Sequence, residues 1–471
     1  MLRLIIEKDL RDIITSTKFA VTFGVCSLLI VLTFFVGAKN YQVNRQAYEA
    51  AKAENLRQLD GVTDWISVRD FRVFLPPQPL AVLVNGISND IGRTTDIQGR
   101  GEPTTYDSRY GDSPVFAIFR FLDLEFLFGI ALSLFAIVFA YDAVNGEKER
   151  GTLRLTFANA IPQDTYILGK LIGSFLALGV PLLIPILLGC ALLPALGVSL
   201  TGDEWIRLGL IIGTGILYFS AFLGLAIFVS ALTQRSSSSF LLLLVCWILV
   251  VLIIPRSSVL LAGRAVDVPS VDDINAKKSS LARQLFTEDR TKMSGFKPSA
   301  TGDPSAMVSE FNKFMSGLAD ARDQKMRELS DRLNEERSNA QRRQQAIAFG
   351  IARISPAAAF SLAATFLAGT SLDLQNRYRR EAMAYQEEFG KFMLAKTGVK
   401  LGGRVMVFRS ESDNGAKPKP IDPQELPAFR FTPATLANVF PGAMLDLGLL
   451  VLFNLVFFAG AFVGFLRFDV R

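Results

Sequence analysis

Apolar residues in this 471-residue chain gather into blocks instead of alternating with polar ones. Each block is near the ~20 residues that a helix needs to cross a ~30 Å hydrocarbon layer. The pattern predicts six membrane helices, at 19–38, 121–141, 167–196, 206–232, 236–255 and 444–466. The third carries Pro181, Pro185 and Pro194, which membrane helices tolerate as kinks. Residues 1–18 read as an amphipathic interfacial helix. Leu2, Ile5, Ile6, Leu10, Ile13 and Ile14 fall near one face, and Arg3, Glu7, Lys8, Arg11 and Asp12 lie mostly on the other. A secretory leader is the poorer reading, because the apolar stretch is long and further blocks follow.

Between the blocks lie two long polar regions, 39–120 and 256–440. In the first, Asn40–Leu59 reads as a continuation of the preceding helix. Phe71–Val84 reads as extended, since Pro76, Pro77 and Pro79 forbid a helix interior, and the Gly- and Thr-rich Gly86–Gly111 reads as loop. The second region predicts helices at Asp272–Met293, Pro304 to about Gln345 and Asp373–Lys396, with a proline-rich linker at Lys417–Pro427. Along the middle helix Phe311, Phe314, Leu318, Leu329 and Leu333 recur on one side, and Glu328/Arg332 supports the exposed face. A solvated helical hairpin is the favoured reading over a coiled-coil surface for a partner. Residues 346–370 are apolar enough to resemble a span, but Arg353, Ser355 and Pro356 sit near the middle. A central arginine costs about 2.5–3.5 kcal/mol on insertion scales. This segment is therefore expected along the outer membrane surface or within the external domain.

Arginine and lysine set the orientation. Arg3, Lys8, Arg11 and Lys18, then Lys148, Arg150 and Arg154, then Arg235, and finally Arg467 and Arg471 fall on one side of a six-span plan, in short segments. That side is expected to be cytoplasmic, with both termini and the 467–471 tail there and both long polar regions outside. The fold class expected is an all-α polytopic membrane protein with six transmembrane helices, an N-terminal interfacial helix and a mainly helical extracytoplasmic domain.

Composition narrows the chemistry. Hydrophobic residues make up 50% and charged residues 20%, and the mean hydropathy of +0.33 argues against a soluble enzyme. Outer-membrane barrels would show short alternating strands instead. The chain has no histidine, which removes His-based triads and His metal sites. Cys26, Cys190 and Cys246 all lie in apolar blocks, so neither a disulfide framework nor a Cys-rich zinc site is available in the polar parts. Glu335/Glu336 and Glu387/Glu388 are adjacent on helices and point apart, unlike a paired-carboxylate site. An intrinsic enzyme, a cofactor or metal held by this chain and a nucleic-acid partner are all unexpected. The net charge of +6 is too modest to suggest the last. The missing cysteines outside the membrane blocks agree with a bacterial envelope.

The most informative stretch follows the second block: Tyr141-Asp142-Ala143-Val144-Asn145-Gly146-Glu147-Lys148-Glu149-Arg150-Gly151-Thr152-Leu153-Arg154-Leu155. After it come Ala160-Ile161-Pro162 and the Gly169-Lys170 pair that opens the third block. Such dense charge cannot lie in hydrocarbon without water or partners. It suits docking of a soluble protein at the membrane surface, and an ordinary charge-balanced loop is the plainer alternative. Gly169-x-x-x-Gly173, Gly209-x-x-x-Gly213 and Gly460-x-x-x-Gly464 each place two small residues on one helix face, for packing within the subunit or between subunits. Asp142, Asp446 and Asn454 are candidate polar contacts between helices.

A Glu-x-Glu-Arg-Gly-Thr-Leu stretch after the second span, then Pro162 and the Gly169-Lys170 opening, resembles the permease subunits of ABC-2 type transporters. The N-terminal helix and six-span plan share that resemblance. The insert between spans five and six and Pro76–Leu80 further resemble a subgroup with gliding-motility-like members. The resemblance implies that 142–166 is a coupling segment touching a separate ATPase. Its candidate contacts are Glu147, Lys148, Glu149, Arg150, Gly151 and Thr152, with Glu7 and Arg11 of the N-terminal helix more loosely. It also implies two ATPase copies holding ATP and Mg, a second permease subunit (identical or related), and export across a bacterial inner membrane. No Walker A loop is present here: Gly169-Lys170 is followed by Leu171 and Gly390-Lys391 by Phe392. Two further readings are motion transmitted to an extracytoplasmic partner without a pore, and a membrane-anchored scaffold without an ATPase.

Overall fold

The computed structural model describes residues 2–68, 70–88, 91–98, 103–106, 123–158, 161–297, 304–398 and 420–466. Several expectations fall outside them: the 121–122 start of the second span, Ala160, Lys417, Arg467, Arg471 and parts of 86–111. Within the described residues the chain is an all-α polytopic membrane protein with one small sheet.

Helix α1 (Leu2–Ile14) ends in a two-residue break, and Ser16 Oγ accepts the Phe19 N–H to start α2 (Thr17–Arg57). The 41-residue α2 runs unbroken beyond the first apolar block, as the polar continuation predicts. Three short antiparallel strands follow, β1 (Asp70–Phe74), β2 (Thr94–Gln98) and β3 (Thr104–Tyr106), ordered β1-β2-β3 with Phe71 opposite Ile97 and Thr95 opposite Thr105. The stretch expected as loop thus contains two strands. Thr94, Thr95 and Ile97 are β-branched, and Thr95 and Ile97 are buried on the covered face. Extended structure in 71–84 stops at Phe74, and Pro79 begins a 3-10 turn (Pro79–Val82).

The second membrane helix is built from α3 (Leu124–Phe126), a π-helical turn (Leu127–Leu132) and α4 (Ser133–Ala140). Next come α5 (Asn145–Glu149), α6 (Thr152–Ala158), α7 (Gln163–Ala195) and α8 (Gly202–Leu232). Then α9 (Ser236–Trp247), a second π-helical turn (Ile248–Ile253) and α10 (Ile254–Ala265) form one continuous helix. The remainder is α11 (Val271–Ser294), α12 (Pro304–Ala352), α13 (Pro356–Ala368), α14 (Asp373–Thr397) and α15 (Leu436–Leu466). Helix α8 is the centre of the bundle, packed on α4, α13 and α15, with Tyr218, Phe219 and Phe222 buried. At one end of the bundle sit α1, α5 and α6. At the other, α14 covers the sheet: Tyr378 donates to the carbonyls of Val73 and Arg93, and Phe389 stacks on Phe71 at 5.8 Å. There α11 and α12 form a hairpin, joined by Arg322 to Asp289 at 3.1 Å.

Seven helical segments among the described residues are long and apolar enough to cross a membrane, where six were expected. The additional one is 356–397, which a turn at Gly369–Leu372 divides into α13 and α14. With 13 residues, α13 is about 20 Å long, short of a ~30 Å hydrocarbon layer. It does not lie on a surface. All of its residues except Phe366 are buried, between α8 and α15. Phe360 stacks on Tyr218 at 4.9 Å, and Phe366 occupies the space a side chain at Gly442 would take. The arginine that argued against insertion is neutralised: Arg353 makes a bidentate pair with Asp446 of α15 at 2.6 and 3.1 Å. Ser355 caps α13 and donates to the Val250 carbonyl. At the far end Arg207 donates to the carbonyls of Ala368 and Ala434. Long α12 thus reaches into the bundle, and the chain turns at 353–355 and returns through α13 to the end where it entered.

Candidate functional site

The charged stretch after α4 folds as two short helices because Gly151, at φ +72, breaks them apart and Pro162 starts α7. Its first helix, α5, is mostly buried, and its charge is met by partners within the protein. The Glu147 carboxylate lies inside the protein, its side chain 5% exposed, and accepts from Lys8 of α1 at 2.8 Å, Lys170 of α7 at 3.0 Å and the Tyr166 hydroxyl at 2.7 Å. Lys170 also reaches Asp9 of α1 at 2.7 Å. Two acids and two bases from three helices therefore compensate one another, the condition under which buried charge is tolerated. Burial pushes the Asp9 carboxyl above its ordinary range, and Lys170 offsets this in part.

The neighbouring residues of α5 grip the turn between α8 and α9. Lys148 Nζ donates to the Ala231 carbonyl at 2.6 Å, at the end of α8, where free carbonyls favour a cation. Glu149 accepts from the Ser236 N–H at 2.8 Å and its hydroxyl at 2.9 Å, capping the start of α9. Asn145 donates to Thr233 Oγ1 and accepts from Ser236 Oγ, and the Ser230 hydroxyl accepts the N–H groups of Val144 and Asn145. Thr152 Oγ1 donates back to the Glu147 carbonyl at 3.4 Å. Rings extend the junction: Phe465 of α15 stacks on Tyr166 at 5.2 Å and touches Phe157 of α6 at 5.7 Å.

A strip remains at the surface, comprising Glu149, Arg150, Gly151, Arg154 and Leu155. Leu155, next to Arg154, is 70% exposed. Glu7 and Arg11 are exposed on α1, and Glu7 pairs with Arg3. Of the sequence candidates, Glu147 and Lys148 face inward, Glu149 is exposed yet bonded, and Arg150, Gly151 and the α1 pair lie at the surface. Sequence reasoning missed Lys8, Asp9, Asn145, Tyr166, Lys170 and Ser236. A signal existed for two of them: Asp9 falls on the apolar face of α1, and Lys170 stands inside an apolar block, where an ionisable residue needs a partner.

The glycine pairs have different surroundings. A Cβ at Gly169 would meet Ile5 at 2.8 Å and one at Gly173 would meet Asp9 Cβ at 3.0 Å, so this pair seats α1 on α7. Gly460 and Gly464 receive Phe228 and Leu232 of α8. A Cβ at Gly209 or Gly213 would meet nothing within 4 Å among the described residues. Asn454 bonds Ser220 and the Leu217 carbonyl, a contact between helices α15 and α8. No group of His, Cys, Asp and Glu suited to a metal occurs among the described residues.

Residues 3–287 match the family model described as ABC-2 family transporter protein, more than half of the chain. The chain belongs to the ABC-2 transporter family. As an ABC-2 protein it is a non-catalytic, multi-pass membrane permease subunit of an ABC transporter, and membership implies an ABC ATPase partner. Residues 298–404 match a second model, a domain of unknown function (DUF3526), which covers α12, α13 and α14. No curated protein matches the ABC-2 chain.

Proposed function

We propose that this ABC-2 subunit couples ATP hydrolysis by a separate ATPase to export across a bacterial inner membrane. In this reading α2, α3–α4, α7, α8, α9–α10 and α15 cross the bilayer. The α12–α13 pair enters and leaves from the outside, so it adds no crossing. Both termini and the α5–α6 junction are cytoplasmic, and the sheet, α11, α12 and α14 are extracytoplasmic. Two permease subunits, identical or related, work with two ATPase subunits that hold ATP and Mg. The open Gly209–Gly213 face is available to a second subunit.

One observation supports coupling above all. The α5 segment is bonded to α1, α7, α8 and α9 at once, while Arg150, Gly151, Arg154 and Leu155 beside it stay at the surface. A partner moving that strip would displace several membrane helices together. The contact surface within the earlier candidates becomes Arg150, Gly151 and Thr152, extended to Arg154 and Leu155, with Glu7 and Arg11 beside it. Glu147 and Lys148 hold the strip in place from within, and Glu149 anchors its edge to α9. The test is Leu155→Asp with Arg154→Glu in the complex purified from its host and reconstituted. Expected is normal insertion with at least a tenfold loss of substrate-stimulated hydrolysis, about 1.4 kcal/mol of coupling. Unchanged hydrolysis would refute the docking strip. The long external hairpin favours a second reading, close to the gliding-motility-like subgroup, in which motion reaches an outside partner without a pore.

A further inference from the structure

A cavity of about 310 Å³ lies between α2, the Pro79–Val82 turn and the start of the second membrane helix. That volume is at the low end of the ~300–1,000 Å³ range of small-molecule sites. Its walls are graded. The inner end is apolar, formed by Leu29, Leu32 and Val36 of α2 with Leu127, Ile130 and Ala131 opposite. The outer end is polar, with Asn40, Asn44, Gln78, Arg93 and Asp123. Leu32 and Val36, which line it, are about half exposed, so the cavity is open along the apolar part of α2. Gly37 fixes this arrangement, because a Cβ there would meet the Val82 carbonyl oxygen and the turn could not close on α2.

The polar groups differ in what they have left to offer. Asp123 already accepts from the N–H groups of Asn85 and Phe126, and Arg93 already donates to the Ser88 carbonyl. The amides of Asn40 and Asn44, one helical turn apart, have no partner among the described residues. Each amide both donates and accepts, which matches hydroxyl groups better than a phosphate. From Leu29 to Asn40 the helix rises about 16 Å, close to half of a ~30 Å hydrocarbon layer.

The geometry points to a binding site for a bilayer amphiphile, with one acyl chain along Leu29–Val36 and an uncharged, hydroxyl-bearing head at Asn40 and Asn44. This inference needs α2 to be a membrane helix and does not need an ATPase, so it can fail or stand separately from the coupling reading.

The test uses the full chain in phosphatidylcholine nanodiscs doped with a diazirine-bearing diacylglycerol or, in parallel, a diazirine-bearing phosphatidylglycerol. After irradiation, labelled residues are mapped by mass spectrometry. The diacylglycerol probe is expected to label Leu32, Val36 and Ile130 roughly fivefold more than Leu452 and Leu455 on the exposed face of α15, the ratio about 1 kcal/mol of preference gives. Asn40→Leu with Asn44→Leu should abolish that excess without altering labelling on α15. Ala131→Phe, which fills the tail end, should do the same, and melting temperatures check that both variants fold. Equal labelling of both faces, an excess that survives the asparagine variant, or preferential labelling by phosphatidylglycerol would each overturn the assignment.

Discussion

Lys170 holds the α5 junction together, since it faces two carboxylates from different helices with a side chain only 7% exposed. Removing it leaves half-exposed Lys8 as the base beside Asp9 and Glu147, with the Tyr166 hydroxyl still on Glu147. Breaking a buried pair from one side costs about 3–5 kcal/mol. Lys170→Met should therefore lower the thermal unfolding temperature in detergent more than Glu147→Ala, which leaves the Lys170–Asp9 pair intact. The reverse order would show that Lys170 is not the hub. Charge density in Glu147–Thr152 was legible in the sequence, but the direction each side chain faces was not. Glu147 finds its partners 139 and 23 positions away, and their meeting depends on how α1 lies against α7. Glu149 keeps contact with water and still caps α9, a double role that no local pattern announces.

Elements with strong periodicity were the most readable. The three predicted helices of the second polar region correspond to α11, to α12 and to α14, differing mainly in that α12 runs to Ala352. β2 and β3 were missed because a run of Gly and Thr reads as loop until a covering helix buries one of its faces. Residues 346–370 do not lie along a surface as their Arg353 suggests, because that arginine pairs with Asp446, 93 positions away. Glycine pairs show the same limit, since one motif has three different surroundings. Gly173→Val should push α1 off α7, with a cost of about 1–3 kcal/mol typical of overpacking and faster trypsin cleavage at Arg11. Gly209→Val meets nothing among the described residues and should shift stability by no more than about 0.5 kcal/mol. Equal sensitivity at the two sites would contradict the packing described.

For the whole molecule, the membrane plan is legible from block length and the Arg/Lys bias, whereas the burial of α13 between α8 and α15 is not, because its polar compensation is tertiary. Opposite exposure of the two ends gives a direct test. Cysteines placed at Arg154 and at Lys325 should react with a membrane-impermeant maleimide from opposite sides of sealed vesicles; labelling of both from one side would reject the plan. The native thiols lie within the membrane helices, where such a reagent does not reach. Helix α12 adds a mechanical consequence. It runs 49 residues, about 74 Å, without an internal proline or a described break, and its foot is tied to α15 through Arg353. An unjointed beam held at its base magnifies displacement. A tilt of a few degrees in α15 would sweep the opposite extremity through several ångströms, so the bundle's smallest rearrangements would be broadcast farthest from where they begin.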